Sequence, residues 1–400
     1  MPRPTKVLVF RGPAHHAQIM RPVEDALSAL GCEVIRYTTD TEAMFQAGLQ
    51  QEDGIGLESW KWLPDYNDEA ASARLYQTHV AYFREKLATP NVLSLMLPQV
   101  LDRIIHFACQ EWVATRNLLR SVQPTACLVL HELNRWSMTL AAHASALSLP
   151  VWSLQEGMYY ANPWLYTGHT KYSRSLVWGE ATRDVLLQAG CAPERVEVLG
   201  HPDLGSRWQH AQEEVQTGTL QRELPAATQG KRLALAFLPH ITLGEHAGMI
   251  MQGLTGSDWF LVCRNHQLAA LPLIQALATL FGACPTNSWL SPLAMPRGHH
   301  WRLMAAAECM IVAGCSTTML EWLWSGKPLG HVPLAGEPRD LAAEGLAVPC
   351  DSAAGYLPAI EKTMAAWDDG YRARALQFVG REIACGDAAA ALAARITRRP

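Results

Sequence analysis

Lys6-Val-Leu-Val-Phe-Arg-Gly-Pro-Ala-His-His16 sets how the rest of the chain is read. From Lys6 to Phe10 it holds a short, continuous apolar run, Val7-Leu-Val-Phe10, the mark of a parallel strand covered on both faces. Arg11 to His16 then make a tight polar turn. A helical pattern follows from Gln18 to Leu30 and stops at Gly31, a residue suited to the left-handed conformation that ends helices. Cys32-Glu-Val-Ile-Arg-Tyr37 is the next strand, so the order is βαβ. The turn carrying Arg11, His15 and His16 falls at the carboxyl end of the first strand, where open α/β sheets hold their ligands.

The same alternation continues outward. Thr125 to Leu130 is a strand, His131-Glu-Leu-Asn134 a loop, and a helix runs to about Ser148. Pro150-Val-Trp-Ser-Leu154 and Ser175-Leu-Val-Trp178 are strands, Glu180 to Ala189 is a helix closed by Gly190, and Val196 to Leu199 is a strand. Between them, residues 54–120 read as a helical insertion with Trp60, Trp62, Tyr76, Tyr82 and Phe83 spread through it. These aromatics are either core or an acceptor-binding wall. From Arg207 to Gln229 the composition turns polar and linker-like. A second series opens with Arg232 to Leu238 and continues with Trp259 to Cys263, Cys309 to Ala313, a helix from Met319 to Trp324, the strand-like Pro328 to Val332, and an Ala-rich helix from Asp387 to Arg395. Two βα series predict two doubly wound Rossmann-like domains facing a central cleft: an acceptor-side domain over residues 1–205, a linker over 206–230, and a nucleotide-binding domain over 231–400.

Bulk properties narrow the function. At 400 residues the chain is too long for one ordinary core. A hydrophobic content of 49% against 18% charge marks a folded globular protein. The formal net charge is −4 and no Lys/Arg block precedes Arg398-Arg399, which argues against a nucleic-acid partner. Met1 to Lys6 leads straight into the first strand with neither a secretory leader nor an apolar run of about 20 residues, so the expected location is cytoplasmic. Ten cysteines are spread singly with no CxxC pair, several within apolar runs, and read as reduced core residues. No HExxH occurs, and Asp368-Asp369 lies in a helical stretch rather than at a strand end, so no metal is expected.

Three short segments carry the chemistry. Gln155-Glu156-Gly157 follows the apolar run from Val151 to Leu154, which places a carboxylate at a strand's carboxyl end. There it can deprotonate a hydroxyl or stabilise an oxocarbenium-like centre, or simply serve as a cap or an ion-pair partner. Arg264-Asn-His266-Gln267 follows another strand and supplies a cation and an imidazole for a phosphate. Ser316-Thr317-Thr318 stands where a strand turns into a helix, so hydroxyls and unpaired N–H groups can meet the same phosphate or only cap the helix. Glu321 lies one turn on. Gly157, Glu132 and His240 join Arg11, His15 and His16 as candidate substrate contacts. His299-His300 reads as a surface loop.

The order of these segments resembles that of GT-B glycosyltransferases over most of the chain. Within that class, Gln155-Glu156-Gly157 resembles the acidic-acidic-Gly motif of bacterial sialyltransferases and Kdo (3-deoxy-manno-octulosonate) transferases. His266-Gln267 resembles their His-Pro motif, and Ser316-Thr317-Thr318 their Ser/Thr motif. Glu321 resembles the acidic residue that holds ribose hydroxyls in many GT-B enzymes. This chain has Gln155 where the inverting members carry the base, and Gln267 in place of the proline. The resemblance therefore shifts the catalytic expectation to Glu156 and leaves retention or inversion open.

What the resemblance implies is a metal-independent transferase with no cofactor. It would move an acidic sugar, Kdo or another nonulosonate, from a CMP-activated donor to a surface-glycan or glycolipid acceptor. Peripheral association with the inner face of a membrane would come through a lipid-linked acceptor. The alternatives are a CDP-glycerol, CDP-ribitol or UDP-sugar transferase of the same architecture, a UDP-N-acetylglucosamine 2-epimerase-like isomerase, and a non-catalytic nucleotide-binding protein.

Overall fold

Continuous apolar runs become buried parallel strands in the computed structural model. It describes residues 5–11, 14–39, 60–87, 98–159, 162–238, 254, 257–265, 279, 287–291, 298–313, 316–333, 341–351, 354–384 and 388–397. By contacts the chain divides into two units. The first comprises Met1–Glu156, Pro163–Pro202 and Ala384–Pro400; the second comprises Gly157–Asn162 and Asp203–Ile383.

The first unit holds β1 (Lys6–Phe10), α1 (Ala14–Ala29), β2 (Glu33–Thr38), β3 (Trp60–Trp62), α2 (Glu69–Leu87), α3 (Pro98–Val122), β4 (Ala126–Leu130), α4 (Arg135–Ala146), β5 (Val151–Leu154), β6 (Arg174–Val177), α5 (Glu180–Gln188) and β7 (Val196–Val198). Its seven strands lie in the order β3-β2-β1-β4-β5-β6-β7 with parallel pairings. All five residues of β4 are buried, as a strand covered on both faces requires. Leu8, Phe10, Cys127 and Val129 pack with Leu118 and Leu119 of α3 and Leu140 of α4. The strand order reverses between β1 and β4, so their carboxyl ends flank the position where such sheets open a crevice.

The second unit holds α6 (Leu204–Gln216), α7 (Thr219–Glu223), β8 (Arg232–Leu238), β9 (Trp259–Asn265), β10 (Ser288–Leu290), α8 (His299–Ala306), β11 (Cys309–Ala313), α9 (Thr317–Leu323), β12 (Leu329–Val332), β13 (Val348–Pro349), α10 (Tyr356–Ala365) and α11 (Asp369–Glu382). Its strand order, β10-β9-β8-β11-β12-β13, repeats the first unit's pattern and again reverses between the first and fourth strands in sequence. The closing helix α12 (Ala388–Thr397) packs against α1 in the first unit.

Four expectations change. Trp60 and Trp62 form the edge strand β3, not helix: Trp60 and Trp62 are buried while Lys61 between them is less so, and the two rings stack with centroids 6.0 Å apart. Residues 206–230 are largely the helices α6 and α7, because Leu204, Trp208, Ala211 and Leu220 supply buried positions amid the glutamines. The end of the chain belongs to the first unit, since α12 covers α1. His299 and His300 open α8 instead of lying on a surface loop, and His299 is 1% exposed. Among the described residues no helix is long and apolar enough to cross a membrane, and the seven described cysteines are buried.

Candidate functional site

In the first unit, several of the expected contacts turn out to be engaged in holding the sheet together. Arg11, 1% exposed, donates to Glu24 from Nε at 2.5 Å and from a terminal nitrogen at 3.0 Å; Arg36 reaches the same carboxylate at 2.6 Å. One buried carboxylate thus serves two buried guanidiniums, which gives Arg11 a part in holding β1 and α1 together. Glu132, also 1% exposed, accepts from the Tyr172 amide at 2.9 Å and from the Ser173 hydroxyl, and so anchors the loop before β6. The Gln155 side-chain oxygen accepts from the Trp178 amide at 2.7 Å, and its own amide donates to the Leu176 carbonyl at 3.0 Å. Gln155 continues the hydrogen bonding of the sheet past β5, and a carboxamide takes up no proton at neutral pH, so its side chain cannot serve as a base.

Glu156 differs from these. It is half-buried and accepts a 2.9 Å hydrogen bond from Asn134 Nδ2. His131, at the carboxyl end of β4, feels the Glu156 charge, which raises its pKa against a larger lowering by burial. The His131 backbone has φ of 47°, a left-handed conformation that is uncommon outside glycine and that collects at ligand sites. His169 lies 5.6 Å from it, ring to ring, and burial pushes His169 down to about 3. Glu156, His131 and His169 form a titratable group at this sheet's carboxyl edge, with Asn134 bonded to Glu156. Of these, sequence reading named Glu156 as the carboxylate and His131 as a residue able to approach the cleft; the signal for Asn134 was its place in the loop after an all-apolar strand.

His15 and His16 begin α1, but their side chains lie outside the described residues, as do His266 and His240.

In the second unit, Arg264 sits near the end of β9, and burial lowers its pKa to about 10. That is still about three units above neutrality, so the guanidinium stays charged. His300 faces the Phe237 ring edge-on, with centroids 5.2 Å apart, and its Nε2 is 3.5 Å from a Glu321 carboxylate oxygen. Burial lowers the His300 pKa most; Glu321 opposes the shift, and Arg264 and Arg207 add to it. Arg264, His300 and Glu321 thus gather near the carboxyl ends of β8 and β9, the former flanking the unit's strand-order reversal.

Ser316 takes the extended N-cap conformation of α9 without a side-chain cap bond, and Thr318 lies half-buried in the first turn. The Thr317 hydroxyl receives the Met158 amide at 3.2 Å. A Cβ on Gly157 would lie 2.9 Å from that hydroxyl, so Gly157 admits the close approach of its own segment to α9. Neighbouring His299 is engaged elsewhere, with its Nδ1 2.6 Å from Glu223, which also takes Arg302 at 2.5 and 3.1 Å.

Five imidazoles, His169 and His299 buried and His131, His143 and His300 half-buried, all have lowered pKa values, chiefly through desolvation. The unfolded chain binds these protons near pH 6.5 whereas the folded chain refuses them until lower pH. Stability is therefore expected to be fully present above about pH 6.5 and to fall as the pH drops below it. Thermal melts between pH 8 and pH 5 test this, and His169→Gln should flatten the acid slope.

No protein-family model matches the sequence, and no curated protein matches it. Solved structures do share the fold. UDP-GlcNAc 2-epimerase from Neisseria meningitidis bound to UDP-GlcNAc is similar at 13% identity, over 98% of this chain and 99% of that chain, with a TM-score of 0.61. The glycosyltransferase SnogD from Streptomyces nogalater is similar at 17% identity, over 98% and 99%, with a TM-score of 0.52. CalG4, the calicheamicin glycosyltransferase, is similar at 14% identity, over 98% and 97%, with a TM-score of 0.56. None of the three is a Kdo transferase or a sialyltransferase. The chain has the architecture of GT-B glycosyltransferases and UDP-GlcNAc 2-epimerases, two α/β domains of Rossmann-like kind, each built on a parallel sheet.

Proposed function

We propose that the chain is a glycosyltransferase that takes its sugar from a UDP-activated donor. The carrying observation is the set Arg264, His300 and Glu321 near the carboxyl ends of β8 and β9. A charged guanidinium in a dry setting suits a diphosphate, which gains negative charge as the sugar leaves. Glu321, held against a neutral imidazole, suits the hydroxyls of a ribose. In the first unit, Glu156 is the carboxylate for deprotonating an acceptor hydroxyl, with Asn134 fixing its orientation.

The CMP-activated donor of Kdo or another nonulosonate, which the motifs suggested, draws no support from the similar structures. Those bound to or named for UDP-sugars favour the UDP alternative. A 2-epimerase is the second reading, favoured by the TM-score of 0.61. Incubating the protein with UDP-N-acetylglucosamine in heavy water, without acceptor, separates the two: isomerisation with deuterium entering the sugar marks the epimerase.

A thermal-shift panel of UDP, UMP, CDP, CMP and GDP tests the donor class, because a ligand bound only by the folded state raises apparent stability. UDP is expected to give the largest shift. Arg264→Met should weaken UDP binding by about 1 to 3 kcal/mol, the scale of a charge-assisted hydrogen bond. Selective stabilisation by CMP would return the assignment to the CMP-sugar class. Unchanged UDP affinity in the variant would move the diphosphate elsewhere.

A further inference from the structure

The helical hairpin of α2 and α3 in the first unit holds a cavity of about 330 Å³ that none of the roles above uses. That volume is near the lower end for small-molecule sites, about 300 to 1,000 Å³. Arg74, Leu75 and Thr78 line it from α2, and Trp112, Val113 and Arg116 from α3. Leu75 and Val113 make an apolar floor, with Val113 2% exposed. The Trp112 indole is 41% exposed yet held in place, since the His143 ring lies 4.1 Å from it and His143 Nε2 meets the Trp112 carbonyl at 2.9 Å. Thr78 donates its hydroxyl proton to the Arg74 carbonyl at 2.9 Å, which leaves the oxygen as an acceptor.

The cations are the decisive feature. Arg116 keeps a buried Nε–H with no hydrogen-bond partner, and no carboxylate pairs with Arg74 or Arg116 among the described residues. Elsewhere in this unit the buried guanidiniums of Arg11 and Arg36 have Glu24 as their acceptor. A buried donor without an acceptor is unfavourable, and such a group calls for an explanation. Two guanidinium forks beside an indole and an apolar floor match a ligand with a carboxylate at one end and a CH-rich face on its body. A hydroxyl-bearing ring would also find the Thr78 acceptor.

We propose that this cavity binds an acidic sugar residue of the acceptor, a pyranose bearing a carboxylate. The proposal rests on the glycosyltransferase reading for its biological sense, but the binding itself can be tested without it.

Isothermal titration of the full chain with methyl β-D-glucuronide, methyl β-D-glucoside and inorganic phosphate makes the test. The glucuronide is expected to bind at least about tenfold more tightly than either of the others. Arg116→Gln and Trp112→Leu should each weaken it by about tenfold or more while UDP affinity stays within about twofold. Arg74→Gln, at an exposed position, gives a second variant in which folding is not at issue, and it should weaken glucuronide binding too. Equal binding of the glucoside, phosphate binding as tight as the glucuronide, or glucuronide affinity indifferent to the arginine variants would each overturn the proposal. Failure of UDP to bind would sink the donor assignment, and the glucuronide titration would still decide this cavity.

Discussion

Replacing Glu156 by Gln is expected to lower turnover by about a hundredfold or more while nucleotide affinity stays within about twofold of the parent. The substitution keeps the shape of the side chain and its capacity to accept from Asn134 Nδ2, so the loop after β5 should hold its place. What it removes is the charge and the site for a proton. Those matter when an acceptor hydroxyl loses its proton or an anomeric carbon gains positive charge, and neither event occurs during nucleotide binding. Steady-state kinetics on the purified variant, with UDP titrated in parallel, read the two effects separately. Turnover within a few-fold of the parent would remove Glu156 from the chemistry and direct attention to His131.

Glu24→Gln is expected to produce the largest loss of stability, about 3 to 5 kcal/mol, the cost of stripping a buried charge of its partner. Glu24 is 0% exposed and faces two guanidiniums, from Arg11 at the end of β1 and from Arg36 on β2. The amide has one accepting oxygen in place of two, turns an N–H donor toward the guanidiniums and offers no charge to offset either cation. For a unit of about 200 residues such a loss lowers the melting transition by roughly 6 to 20 °C. Calorimetry of the parent and the variant reads it directly. A difference under about 1 kcal/mol would show that water or local rearrangement compensates the two arginines.

Much of the fold was legible because fully buried parallel strands leave a one-dimensional trace. Val7 to Phe10, Ala126 to Leu130 and Cys309 to Ala313 are apolar throughout, and each lies in a parallel strand. The position of Glu156 just past β5 was legible for the same reason, since it is the first titratable residue beyond such a run. Other features were set by contacts distant in sequence. Nothing local in Trp60-Lys-Trp62 says that it will pair with β2. The glutamine-rich stretch after Arg207 conceals Trp208 and Ala211, whose burial comes from α8 packing on α6. His300 became part of a site only because Glu321, from a helix some twenty residues on, comes within 3.5 Å of it. Arg11 and Glu132 looked like ligand contacts because their strand-end positions were right. Their partners, Glu24 and Ser173, could be recognised only in three dimensions.

The division of the chain bears on how the protein comes to be made. The first unit keeps α12 as its last piece, laid against α1 near the start of the sequence. The second unit is nearly contiguous, from Asp203 to Ile383 with six earlier residues. During synthesis the first sheet can pair its strands early, yet its covering layer stays incomplete until α12 leaves the ribosome. The later-made unit closes before the earlier-made one is finished. A nascent chain stalled ahead of Ala388 would present the uncovered side of α1 to chaperones, and cutting the gene into two simple halves would leave the first half without its last helix.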